Sequence, residues 1–296
     1  MTNPPTIYFD NISRKEKIEN SLKEMQEFGG EEFFIPSTRE YIIKKLGLED
    51  EYWQNLRDLI WRNLKDFGYV VVKGIPFDEN NRLHVGLASI IGMPIIHNKK
   101  VKEAVREIHP RAGQMPLENY PHTDSPHFPI PNDLITLQCG IEDQERDVFS
   151  RIVHINSVLE ELKDSPDLIK RLRDNNYPFI LSPDFGDAGS QMQFVLTQER
   201  YANKIFDHIR FCRADTIDCV QKLKVEMEDK DMKDLEEFEN VVTKIGEKTQ
   251  FPFKKNEWLV FDNKVTLHSK TETSPNTVRM LKKMKLHIDR DKVYSN

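Results

Sequence analysis

The segment PHTDSPH, residues 121–127, sets two histidines and an aspartate at a spacing that could hold a metal ion. In extended backbone, residues i and i+2 point to the same side, so His122 and Asp124 can address one ion together. One further protein ligand is then needed, and His268 supplies it at the end of the apolar run WLVFDNKVTLH, residues 258–268. Two imidazoles and one carboxylate on one face of an octahedron leave three positions open, the ligand pattern of non-haem iron(II) oxygenases. Those positions matter because a bidentate oxo-acid and dioxygen must both reach the ion. The segment also holds an alternative. His127, or His268, with His122 and Asp124 would make a zinc site that activates water for hydrolysis. For His127 to take part, Pro126 would have to bend the chain suitably.

Eleven residues past His268 stands Arg279, separated from it by a polar turn rich in serine, threonine and proline. Such a turn suits a loop between neighbouring strands. If the two flanking strands pair, Arg279 approaches the pocket that His268 enters. A guanidinium grips a carboxylate with two parallel hydrogen bonds, a geometry that lysine does not copy. An oxo-acid chelating the metal through its keto end would need such a partner for a far carboxylate.

Taken together, PHTD, WLVFDNKVTLH and the RMLKK that follows resemble the taurine dioxygenase and clavaminate-synthase-like group of iron/2-oxoglutarate oxygenases. The resemblance covers roughly residues 67–77, 120–162 and 256–288. It implies an α+β fold with a double-stranded β-helix (jelly-roll) core and flanking helices. It also implies iron(II), with 2-oxoglutarate and O2 as co-substrates and succinate and CO2 as products. Position by position, His122, Asp124 and His268 match the metal ligands and Arg279 the co-substrate arginine. Ser150 falls where the family often has a threonine that helps bind the same carboxylate, although the usual preceding glycine pair is missing. Lys283 stands where the family often has a second arginine near the substrate. Asp124 argues against halogenation, because family halogenases lack this carboxylate.

The resemblance points to hydroxylation of a small polar molecule, often an amino acid or derivative. Arg210 and Arg213, in IRFCRADT (209–216), lie where amino-acid-acting members often contact substrate. Asn119 and Tyr120, just ahead of His122, could line the pocket. His97 and His109 lie in the segment before the motif, where a lid over the substrate would fit.

These residues must be carried by secondary structure, and the text divides accordingly. Residues 13–28 and 37–67 have helical periodicity, with Ser37, Thr38 and Glu40 suggesting a cap for the second stretch. FGYVVVKGIPF (67–77) switches to a β-branched run, so a buried strand is expected, followed by a helix over about 80–91. DLITLQCGI (133–141) has strand character, 157–175 and 215–247 helical character. WLVFDNKVTLH and VRMLKKMKLHI (278–288) are expected as two closing strands. No linker or repeat divides the chain, so residues 1–296 are expected as one domain, with a helical region at about 10–66 packed on the core.

Composition narrows the class. Hydrophobic residues at 38% and charged residues at 31% fit a soluble globular protein. A net charge of −6 argues against a dedicated nucleic-acid binder. No apolar stretch is long enough to span a membrane, and the first residues lack a secretory pattern. Cys139, Cys212 and Cys219 cannot all pair within one chain, which fits a reducing cytoplasm. A non-catalytic jelly-roll binding protein is the remaining rival to an enzyme.

Overall fold

The computed structural model describes residues 3–96, 102–109, 119–181 and 189–294. Helices α1 (Ile12–Glu24), α2 (Pro36–Leu46) and α3 (Glu51–Phe67) lead to α4 (Arg82–Ile91). Two short helices follow, α5 (Ile155–Glu161) and α6 (Pro166–Asp174). Then come α7 (Arg213–Lys222), α8 (Asp229–Thr249) and the terminal α9 (Arg290–Tyr294). The expected stretches 37–67, 157–175 and 215–247 are each interrupted once, whereas 13–28 is the single helix α1, ending at Glu24. Gly47, at φ +67°, closes α2 where left-handed backbone is needed, and Ser165–Pro166 restarts the chain between α5 and α6. The expected cap at Ser37 and Thr38 is replaced: α2 begins at Pro36, whose missing N–H suits a first helical position.

The strands, among the described residues, build two main sheets. The larger contains β1 (Thr6–Tyr8), β2 (Tyr69–Lys73), β3 (Met93–Pro94), β4 (Arg106–Ile108), β6 (Leu134–Ile141), β13 (Glu257–Asp262) and β15 (Met280–His287). The smaller runs β12 (Phe251–Pro252), β7 (Phe149–His154), β14 (Thr266–Lys270), β5 (Asn119–His122). Two hairpins, β8 (Asn176–Leu181) with β9 (Gly189–Phe194) and β10 (Leu196–Tyr201) with β11 (Lys204–Ile209), were not foreseen. Their alternation is weak in the sequence, and all four strands carry exposed residues, three of the six in β9.

Alternation along the strands sorts the core into layers. Val70, Val72, Trp258, Val260, Met284 and Leu286 face the N-terminal helices. Val153 and Leu267 face α5, α6 and α8 on the opposite side. Between the sheets lie Val71, Ile135, Cys139, Leu259, Phe261 and Leu281 of one, against Ile152 and Phe251 of the other. The two sheets therefore meet face to face, and any side chain on their inner faces shares one enclosed space.

WLVFDNKVTLH is two strands rather than one. β13 belongs to the larger sheet and β14 to the smaller, joined by a corner at 263–265. Gly68 lets that corner pack: its φ is +78°, and a Cβ there would lie 2.5 Å from Thr266 Cγ2 and 2.8 Å from His154 Cδ2. Gly68→Ala should lower unfolding free energy by about 2–4 kcal/mol, from left-handed strain plus overpacking. An unchanged denaturant midpoint would show the corner to be looser than its geometry implies. Among the described residues, no helix is long and apolar enough to cross a membrane.

Candidate metal centre

β5 and β14 run antiparallel with His122 directly opposite His268, and the two rings lie 4.2 Å apart between centroids. Asp124 sits two residues beyond the end of β5, where no strand neighbour is left to hold its backbone. The side chain of Asn263 does so instead. The Asp124 N–H donates to Asn263 Oδ1 at 2.8 Å, and Asn263 Nδ2 donates to the Asp124 carbonyl at 3.0 Å. Thr123 is tied to Phe211 by its N–H at 2.7 Å, and the Phe211 N–H returns to Thr123 Oγ1 at 3.0 Å. Ser125 then turns the chain away at φ +57°.

The corner bearing Asn263 is itself pinned. Its N–H donates to the Asp133 carbonyl at 2.8 Å, and buried Arg290 bridges Asp133 and Asp262 at 2.8 and 2.6 Å. Asn263 thus ties the Asp124 backbone to the corner that leads into β14 and His268.

 The same carboxamide therefore serves both ends of the centre: it fixes Asp124 and belongs to the corner that delivers His268. Asn263→Ala should weaken divalent-metal binding by roughly 10–100-fold, the usual cost of losing a group that orients a ligand. Calorimetric titration of the variant with cobalt(II) checks this, and native affinity would mean that the β5 end holds Asp124 unaided.

The ligand atoms of His122, Asp124 and His268 all lie within 4.8 Å of one another. Asp124 Oδ1 is 3.9 Å from His122 Nε2 and 3.7 Å from His268 Nε2. His122 Nδ1 donates to the Tyr120 carbonyl at 2.9 Å, which leaves the Nε2 lone pair directed at the shared space. Burial holds both imidazoles below their usual pKa, and for His268 the neighbouring His122 adds to this. Neutral imidazoles are the form that binds metal. Burial opposes ionisation of Asp124, but Lys283 and Lys285 outweigh it and keep the carboxyl well below the usual range. Lys283 Nζ forms an ion pair with Asp124 Oδ2, and Lys285 Nζ lies 3.5 Å from the same oxygen. The donor set, two neutral imidazoles and a carboxylate, fits a ferrous ion. His127 is buried but stands outside this group, so the site expected from H-x-D-x-x-H alone is not assembled.

Arg279 enters from the other sheet. β14 and β15 do not pair, contrary to the pairing considered from sequence; the loop 271–279 crosses from the smaller sheet to the larger. Arg279 precedes β15 in phase with Leu281, whose side chain belongs to the inner cluster, and is 6% exposed. Burial lowers its pKa, and among the described residues its guanidinium has no hydrogen bond or ion pair. Ser150 lies on β7 in phase with inner-face Ile152 and is buried.

The other expected residues are more scattered. Arg210 donates to the carbonyls of Phe128 and Pro129 at 2.8 and 2.7 Å, bracing the loop after Asp124. Arg213 pairs with Glu239 at 3.0 Å, tying α7 to α8. Asn119 opens β5 opposite Lys270, and its side chain is outside the described residues. His109 is exposed and pairs with Glu107, whereas His97 lies outside the described residues. Sequence reasoning passed over Asn263 and Lys285. The first could have been found only through its partner Asp124, but the second shares the two-residue phase of Arg279 and Lys283.

This fold and centre define the class. The chain belongs to the taurine catabolism dioxygenase TauD, TfdA family, whose model matches residues 44–284. It is accordingly a dioxygenase of the non-haem iron, 2-oxoglutarate-dependent kind. Among solved structures, it is similar to an asparagine oxygenase in complex with Fe(II), 2S,3S-3-hydroxyasparagine and succinate. That match has 16% identity, covers 95% of this chain and 93% of the other, and has a TM-score of 0.73. It is also similar to the non-heme iron oxygenase OrfP in complex with Fe, at 14% identity, 97% and 94% coverage and a TM-score of 0.69. No curated protein sequence matches the chain.

Proposed function

We propose that this protein hydroxylates a small polar substrate, an amino acid or a derivative of one, with conversion of 2-oxoglutarate to succinate and CO2. In this reading His122, Asp124 and His268 hold iron(II), and the sheets form a jelly-roll core. The bound ion supplies dioxygen activation and the oxidative decarboxylation of the co-substrate. The chain's own residues provide everything else. Arg279 takes the far carboxylate of 2-oxoglutarate, with the Ser150 hydroxyl as a second donor. The inner faces of the sheets exclude water, and Lys283, Arg210, Arg213 and Asn119 are the proposed contributors to the substrate side.

One observation carries the proposal. Arg279 is buried in phase with inner-face Leu281, its guanidinium has no hydrogen bond or ion pair among the described residues, and three metal-type donors converge between the same two sheets. A charge held in that way needs a counter-ion, and a dicarboxylic acid chelated to the metal would provide one. The solved neighbours' names, asparagine oxygenase and an oxygenase bound to L-Arg, support the choice of amino-acid chemistry. The test is a screen of free amino acids with iron(II) and 2-oxoglutarate, reading succinate and a product heavier by one oxygen atom. Succinate formation that needs iron supports the reading. Its absence with and without every amino acid would refute it.

A further inference from the structure

The inner face of β15 is more cationic than the proposed reaction requires. Lys283 and Lys285 end on the same oxygen of Asp124, with side chains only 14% and 12% exposed. Lys285 also donates to Ser125 Oγ at 2.7 Å. Arg106 on β4 stands in register with Lys283, and directly opposed residues in antiparallel strands share a face. Among the described residues, Arg106 has no ion pair, and Asp124 is the one anion within ion-pair distance of either lysine.

Asp124 divides its two oxygens. Oδ1 is the one nearest both imidazole Nε2 atoms, and Oδ2 is the one nearest both ammoniums. A metal ion drawn to Oδ1 withdraws the charge that now serves the lysines. Asp215 at the start of α7 feels the charge of Asp124, but it makes no ion pair with the three cations, and burial first raises its carboxyl to about 6. Two buried ammoniums would then lack counter-charge, an arrangement that low-dielectric surroundings penalise. Arg106 is exposed and can rely on solvent and salt.

We propose that Lys283, Lys285 and Arg106 form an anion-binding wall beside the metal centre, and that the substrate presents a dianionic group to it. A phosphate- or phosphonate-type oxyanion, or a pair of carboxylates, has the charge to answer both ammoniums, whereas one carboxylate leaves one of them uncompensated. The word substrate rests on the function proposed above; the anion site itself does not.

The test therefore uses no metal. Asp124→Asn removes the internal competitor, and inorganic phosphate is titrated calorimetrically into the variant at a pH where it is chiefly dianionic. Phosphate should bind Asp124→Asn at least ~10-fold more tightly than it binds the metal-free native protein, as expected for freed charge-assisted donors. Adding Lys285→Met, Lys283→Met or Arg106→Gln should each weaken that binding, the lysine changes by ~10-fold or more, and Lys285→Arg should retain it. Acetate should bind at least ~10-fold more weakly than phosphate. Phosphate binding that ignores Asp124 and the lysines overturns the wall, and acetate binding as tight as phosphate overturns the dianion. Failure of iron-dependent turnover would leave these titrations untouched, so the two readings fall separately.

Discussion

Alanine at His122 or at His268 abolishes iron-dependent succinate formation and reduces iron(II) affinity by more than the ~10–100-fold that loss of a merely orienting group costs. Both imidazoles stand opposite each other on β5 and β14, and their Nε2 atoms converge on Asp124 Oδ1. Removing either leaves a two-ligand site with no third donor among the described residues in reach, since the ligand group contains these three alone. The metal-free variants should stay folded. Each imidazole is held neutral by burial rather than by a stabilising ion pair, so its deletion removes no buried charge. Circular dichroism with thermal unfolding provides that control, and metal titration with turnover provides the readout. Native turnover in either variant would end the ligand assignment.

The grouping of His122, Asp124 and His268 was readable because its logic is local twice over. The i, i+2 phase fixes His122 with Asp124, and an apolar strand delivers His268. What the text did not show is how the two pieces are joined. The chain breaks WLVFDNKVTLH at Asn263 and passes it from one sheet to the other, while the hydrophobic run continues without a gap because both strands are buried. The Asn263 carboxamide bonds to a backbone far away in sequence, and such a partnership has no periodic signature. Arg279 was expected to approach the centre through pairing of two strands; those strands lie in different sheets because the polar turn crosses between layers, and Arg279 is buried in phase with inner-face Leu281. Arg210 and Arg213 show the opposite limit. Their positions were legible, but their carbonyl and carboxylate partners come from 128–129 and from α8, which no spacing rule connects to them.

Arg279→Ala should raise the 2-oxoglutarate concentration needed for half-maximal turnover by roughly 10²–10³-fold, because truncating one member of a buried charge pair typically costs 2–5 kcal/mol. Turnover at saturating co-substrate should fall far less, since the far carboxylate is remote from the bond being oxidised and its contact is the same before and during reaction. Arg279→Lys should recover little, as one ammonium on a flexible stem does not reproduce the two-pronged grip. The stability change has the opposite sense. The guanidinium is buried and, among the described residues, makes no hydrogen bond or ion pair, so Arg279→Met, which keeps the aliphatic stem and removes the charge, should unfold no earlier than the native protein. Added 2-oxoglutarate with metal should then raise the thermal midpoint of the native protein and leave that of the variant nearly unchanged, because a ligand stabilises only the state it binds. A variant that loses stability but keeps its native 2-oxoglutarate requirement would make Arg279 a structural residue, and the anchor for the co-substrate would have to be sought elsewhere on the inner face.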